Sequence, residues 1–275
     1  MLRFYIEKVQ EQELAVGRRR GLGAYRLPRA SVMRPPLYLF LALMAILASP
    51  MTAAAAATDP YPSNQTGYDV SYPQCGGVTP AGSFGIIGVN GGRPFSNNGC
   101  LGAEYAAAPK TSVAASLYIN TGYSRAYGRN ITSACSTLSK SVGGSSAQKK
   151  AWAIGCSEAD TSLSYTARQH ATSVAVWWLD VETGNSWSSS DLSLNRYAIQ
   201  GATTRLGQAG PAGVYSTAAM WTRITGGNFS PTGIAADWDV SASGGSCTAP
   251  FTSSADPVWL LQSTTSGFDS DLACP

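Results

Sequence analysis

The chain has 275 residues, of which 44% are hydrophobic and 13% charged, with a formal net charge of +3 and six cysteines. Residues 1–57 carry eight Lys or Arg and three Asp or Glu, so the remaining 218 residues hold 11 basic and 13 acidic side chains, a net charge of −2. That balance excludes the electrostatic footprint of a nucleic-acid binder, and 218 residues bury roughly 70% of their unfolded surface, so the core needs neither metal nor disulfide to form.

In chain order, a basic stretch (Arg18, Arg19, Arg20, Arg26, Arg29, Arg34) precedes the apolar segment LYLFLALMAILA at 37–48 and an alanine tract. This is the layout of a signal peptide. The apolar segment has about twelve residues where a spanning helix needs about twenty, so residues 1–57 are expected to be removed, leaving a secreted or wall-associated protein without a stable membrane anchor. Met33 followed by Arg34 would begin a shorter signal of ordinary length, and RRRGLGAY reads alternatively as a degenerate twin-arginine signal. Residues 58–66, TDPYPSNQT, are polar and broken by proline, which predicts a linker, with the domain at 67–275.

Apolar, β-rich runs then recur at GYDVS (from 67), SFGIIGVN (83), AASLYIN (114), SVAVWWLDVE (173), AGVYS (212), GIAADWDV (233) and PVWLLQS (257). Helices are expected at 98–108, 160–172 and 190–208, the last capped by Asp191. Strands alternating with helices argue for an α/β layout, here a barrel whose helical coat is incomplete in the second half, where the strands crowd together.

All six cysteines, Cys75, Cys100, Cys135, Cys156, Cys247 and Cys274, follow the leader. An even number in an exported chain predicts three disulfides. Fifteen pairings are possible; neighbours in order would close loops of about 20 to 30 residues, each stabilising by about 3 kcal/mol. Zinc is the alternative, but there is no Cys-x-x-Cys and His170 is the sole histidine, so no metal and no cofactor is expected.

The centre of the chain is WWLDVETGN at 177–185. The run from Val174 to Leu179 has no polar residue, as in a strand covered on both faces. It ends on Asp180 and Glu182, whose spacing places both on one face of a strand, about 6 Å apart. At an effective dielectric near 20 their repulsion is roughly 3 kcal/mol, so one holds a proton while its partner stays charged, the division of labour that cleaves a glycosidic bond. Other strands end in polar groups as well: Asp69 and Ser71, Asn90, Asn120, Tyr215, Asp237 and Asp239, and Gln262. A parallel barrel gathers such ends on its catalytic face, although Asp, Asn and Ser also cap strand ends for purely structural reasons. Trp187 and Trp238 are the expected sugar-stacking aromatics, because one of Trp177 and Trp178 must point away from the lumen.

GYDVSYPQ, LDVE, AGVYSTAAMW and VWLLQSTTSGFDSDL, in this order across residues 67–272, resemble the landmarks of glycoside hydrolase family 25 lysozymes. The resemblance implies a TIM-like, flattened (β/α) barrel of eight strands with fewer helices, cleaving the N-acetylmuramic acid to N-acetylglucosamine bond of peptidoglycan. It implies Glu182 as general acid, Asp180 as its partner for the substrate acetamido group or anomeric charge, and Asp69 for substrate or water. Asp271 would be the C-terminal acid, with Asp269 competing. Where family members carry an acidic turn after the second strand and a Tyr-His-Phe-like third strand end, this chain has GVNGGRPF and SLYINTG. FGIIGVNGG, LYINTG, WWLDVETGN and VYSTAAMW are closer to a secreted, cysteine-containing actinobacterial branch described as lysozyme-like. Asn90, Asn120, Tyr215 and Gln262 are the expected replacement contacts. A barrel that binds envelope glycans without cutting them is the alternative, and the oligomeric state is left open.

Overall fold

In the computed structural model, residues 57–77, 79–252, 256–265 and 268–275 are described. The expected leader therefore lies outside the described residues, except for Ala57. Eight strands close into a barrel in sequential order: β1 Thr66–Val70, β2 Gly85–Gly88, β3 Ser116–Asn120, β4 Trp177–Asp180, β5 Ala212–Tyr215, β6 Asp237–Val240, β7 Val258–Thr265 and β8 Phe268–Ala273. β1 to β7 run parallel, and β8 closes the ring antiparallel to both β7 and β1. The seven expected strand runs all contain strands. β8 is the addition, because FDSDLA alternates acidic and apolar residues and reads as a polar tail until it is paired on both sides.

Helices coat only the middle of this ring. α1 (Leu101–Ala107) follows β2, α2 (Ser133–Leu138) and α3 (Ser146–Arg168) follow β3, α4 (Leu192–Gly207) follows β4 and α5 (Ala218–Thr225) follows β5. Short 3-10 turns at Tyr72–Gln74 and Ser241–Ser243 are the only helical structure described between β1 and β2 and between β6 and β7. The incomplete coat thus extends to the first crossover as well as the last. α3 begins fourteen residues before the expected 160, where Ser145 and Gln148 form a reciprocal capping box. It ends before His170, which is exposed with φ +59°. Asp191 caps α4 as expected, its Oδ1 accepting from Ser193 N at 3.0 Å.

Alternation along each strand divides the interior into two layers. Trp177 and Leu179 face outward with Ile87, Leu117 and Val214 into the layer covered by helices. Trp178 faces the lumen with Ile86, Trp238, Trp259 and Leu260. Gly213 is required opposite Trp178, since a Cβ there would lie 2.3 Å from the indole ring. The segment 58–66 corrects the expectation of a free linker: Tyr61 is buried in the luminal cluster, shares a hydrogen bond with Ser116 Oγ at 2.5 Å and accepts one from Trp178 Nε1 at 2.9 Å. The phenol closes the end of the lumen where the strands begin. The three disulfides join Cys75 to Cys100, Cys135 to Cys156 and Cys247 to Cys274, the pairing of neighbours in order.

One of the carboxyls buried outside the lumen belongs to the long helix α3. Glu158 of α3 is fully buried, and burial pushes its pKa up to about 8, with the Thr121 hydroxyl opposing weakly. Neither group has a partner in good hydrogen-bond geometry among the described residues. Between the ordinary glutamate value and pH 8 the folded state holds a proton that the unfolded state has released, so stability falls as pH rises through this window. Glu158→Gln is expected to remove that loss. Urea titrations should show the variant gaining on the wild type by up to about 4 kcal/mol between pH 5 and pH 9.

Candidate active site

At the C-terminal ends of β1 to β7, inward-facing side chains surround an open trough of about 250 Å³. Its lining includes Asp69, Ser71, Tyr118, Asn120, Asp180, Glu182, Tyr215, Trp238, Gln262 and Asp269, with Tyr72 and Gly92 at the rim. No Lys or Arg is among the lining residues.

Asp180 ends β4 and projects into the lumen two residues beyond Trp178. Its neighbour across the β3–β4 ladder is Asn120, whose Nδ2 donates to Asp180 Oδ2, while Oδ1 has no partner among the described residues. Burial, then the charges of Glu182 and Asp69, hold its carboxyl well above the usual carboxylate range. Glu182 corrects the expectation of two acids on one strand. The strand ends at Asp180, although Val181 N still reaches Tyr215 O at 2.9 Å. The chain then turns through TGN, with Glu182 O accepting from Asn185 N at 3.1 Å and from Trp187 Nε1 at 2.7 Å. Glu182 is the half-buried member of the pair, raised by burial and by the charge of Asp269.

Asp69 and Asp269 are directly opposed in the antiparallel β1–β8 register. Asp69 accepts from Gln262 Nε2 at 2.9 Å, and burial pushes its pKa up to about 7. Asp269, not Asp271, lines the trough. Asp271 lies two residues further along β8, hence one layer deeper, fully buried between Asp69 and the Trp238 indole N–H and pushed well above the carboxylate range by burial and by Asp69. Of the two carboxylates weighed for the C-terminal acid, the outer one, Asp269, lines the trough and the deeper one does not.

Of the other expected contacts, Asn120, Tyr215, Gln262 and Trp238 line the trough, Trp238 as a 2% exposed wall packed against Tyr215 and Trp178. Asn90 and Trp187 are not lining residues. Asn90 is buried behind β3, accepting from Asn120 N at 2.7 Å and donating to Ser96 O at 3.1 Å. Trp187 buttresses the turn that carries Glu182. Asp237 faces the opposite side of β6 from Trp238 and is tied to Phe251 N and Thr252 N. Asp239, also across from Trp238, bonds Val240 N. Ser71, expected at the end of the first strand, lines the trough as well, and one luminal residue outside the sequence reading was findable by period two: Tyr118, two before Asn120. Tyr72, 49% exposed, lies on a 3-10 turn that no periodicity marks. Among the described residues no group of three or more His, Cys, Asp or Glu could hold a metal ion.

No protein-family model matches the sequence, and comparison with curated proteins finds no match. Among solved structures the chain is similar to a muramidase from Trichobolus zukalii, with 15% identity, a TM-score of 0.47 and coverage of 76% of this chain and 93% of that one. It is also similar to a family GH25 lysozyme from Aspergillus fumigatus (14%, 0.49, 77% and 94%) and to a bacterial lysozyme from Streptomyces coelicolor (18%, 0.44, 77% and 92%).

Proposed function

We propose that this protein is an exported glycan hydrolase of the muramidase type, cleaving peptidoglycan by general acid catalysis without a cofactor. The carrying observation is the trough: acids from β1, β8 and the end of β4 converge in a cleft without a lining cation, under burial that leaves protons on some of them. Glu182 is the acid that protonates the leaving oxygen, because it combines a raised pKa with exposure to the cleft. Asp180, immobilised by Asn120, faces the anomeric centre or the acetamido group. Asp69 orients water or substrate, and Asp269 takes the part first expected of Asp271. The signal-like leader and the three disulfides support export to an oxidising compartment.

The test is release of reducing ends from peptidoglycan and from chitin-like oligomers between about pH 4 and pH 8. Release that leaves muramic acid at the new reducing end supports the reading. Binding to the wall without release at any pH would sink it in favour of a glycan-binding module. Tyr72 provides a second check. Its ring rests against Gly92, where a Cβ would come within 2.7 Å of it, and an exposed aromatic in that position suits the face of a sugar. Tyr72→Ala is expected to raise KM about 3- to 10-fold with kcat nearly unchanged, measured on soluble glycan fragments.

A further inference from the structure

Gln262 stands between two acids to which the proposed function gives different tasks. Its Nε2 donates to Asp69 Oδ2 at 2.9 Å, and its Oε1 accepts from the Tyr215 hydroxyl at 2.8 Å. The residue is held firmly in β7, paired with Val240 and Asp271, and its carbonyl accepts from Ser241 Oγ at 3.0 Å. Tyr215 also neighbours Glu182, where a phenol proton offered to the carboxylate would favour the ionised form.

A phenol has one proton to donate, and a carboxamide has one donating and one accepting end. The amide's orientation therefore links its two neighbours. When Asp69 is ionised, the NH2 end faces it and the oxygen faces Tyr215, which commits the phenol proton to Gln262. Glu182 then meets a phenol lone pair, which accepts an acid O–H and offers a carboxylate nothing. When Asp69 is protonated on Oδ2, the oxygen that faces Gln262, its O–H donates to the amide oxygen, so the amide turns over and its NH2 end meets the phenol oxygen. The phenol proton is then released to the Glu182 carboxylate.

We propose that Gln262 is a positioning residue that couples Asp69 to Glu182 through Tyr215, so that the trough keeps its proton on one of these two carboxyls at a time. The coupling itself stands without the hydrolase reading; only its consequence, a Glu182 that is loaded with a proton while Asp69 is charged, rests on that reading. Asp180, Asp269, Asp271, Tyr118 and Tyr72 also face this cluster, and their fields act on both acids through space. The relay must therefore be separated from direct repulsion.

A mutant cycle does so, with the Glu182 carboxyl titrated by carbon NMR in the absence of substrate. Asp69→Asn is expected to lower the Glu182 midpoint, because it removes the Asp69 charge and, with the new NH2 group donating to the Gln262 oxygen as the acid O–H does, also releases the phenol proton. In the Gln262→Leu and Tyr215→Phe backgrounds the relay is cut while the charges stay, so the same substitution should shift Glu182 by less than half as much. Retention of the full shift in either background overturns the relay. Should Gln262→Leu fail to fold, judged by circular dichroism, Tyr215→Phe decides alone, since it removes one hydroxyl and keeps the ring packed on Trp238. The titration needs no turnover: a protein that releases no reducing ends refutes the hydrolase and leaves the relay standing, whereas an active enzyme with an undiminished shift refutes the relay alone.

Discussion

Glu182→Gln should lower turnover on peptidoglycan about 1,000-fold while leaving affinity for the glycan nearly intact, a loss in the middle of the range contributed by a positioned general acid. The substitution keeps the side chain's shape and removes only its transferable proton. Asp180 and Asp271 are poorer candidates although burial raises both more strongly. Asp180 has one oxygen occupied by Asn120, and Asp271 lies beneath the trough with no solvent exposure. A substrate whose leaving group needs no protonation, such as an aryl glycoside, should recover most of the lost rate in the variant. Equal losses on both substrates would mean that Glu182 does something other than donate a proton. The wild-type pH profile should agree in sign. Because the Glu182 carboxyl is raised above the ordinary glutamate value, its proton persists into weakly acidic solution, and activity should fall on the alkaline side as that proton is lost.

The strands that build this site were legible because burial on both faces leaves continuous apolar runs, and the acids were legible because they interrupt such runs at their ends. Period two then assigns Asp69, Asn120, Asp180, Tyr215 and Gln262 to one wall. What the one-dimensional pattern lacked was depth. Asp269 and Asp271 share a face of β8, and only the antiparallel register with β1 puts the first at the mouth and the second beneath it. Trp187 and Asn90 lie off the trough lining for a related reason: each lies near a strand end but bonds backbone, a choice made by the path of the loop. The first half of α3 was missed because Gly155, Cys156 and Ser157 dilute its helical signal, and those small residues are there to suit a packing partner far along the chain.

That packing carries the largest expected effect on stability. α3 and α4 cross so closely that a Cβ on Gly155 would lie 1.8 Å from the carbonyl oxygen of Ala198, and one on Gly201 would lie 2.0 Å from that of Trp152. Both obstacles are backbone, which cannot rotate aside. Glycine inside a helix costs about 1 kcal/mol relative to alanine, so intrinsic propensity alone predicts that Gly155→Ala and Gly201→Ala stabilise the protein. The close approach reverses the sign: forcing the helices apart should destabilise by about 3 kcal/mol or more, lowering the melting temperature by roughly 6 to 12 °C. Gly207, the last residue of α4, is the control, since a Cβ there meets nothing within 4 Å, and Gly207→Ala should leave the melting temperature unchanged or raise it slightly. If Gly155→Ala melts at or above the wild type, the helices do not cross as described. The displacement should also reach the trough before the protein melts. Asn195 of α4 bonds both the amide and the carbonyl of Ser188, directly after the Trp187 that holds the Glu182 turn. A helix pushed off its seat therefore moves the proposed acid with it, and activity in the Gly155→Ala variant should be lost at temperatures where its circular dichroism is still native.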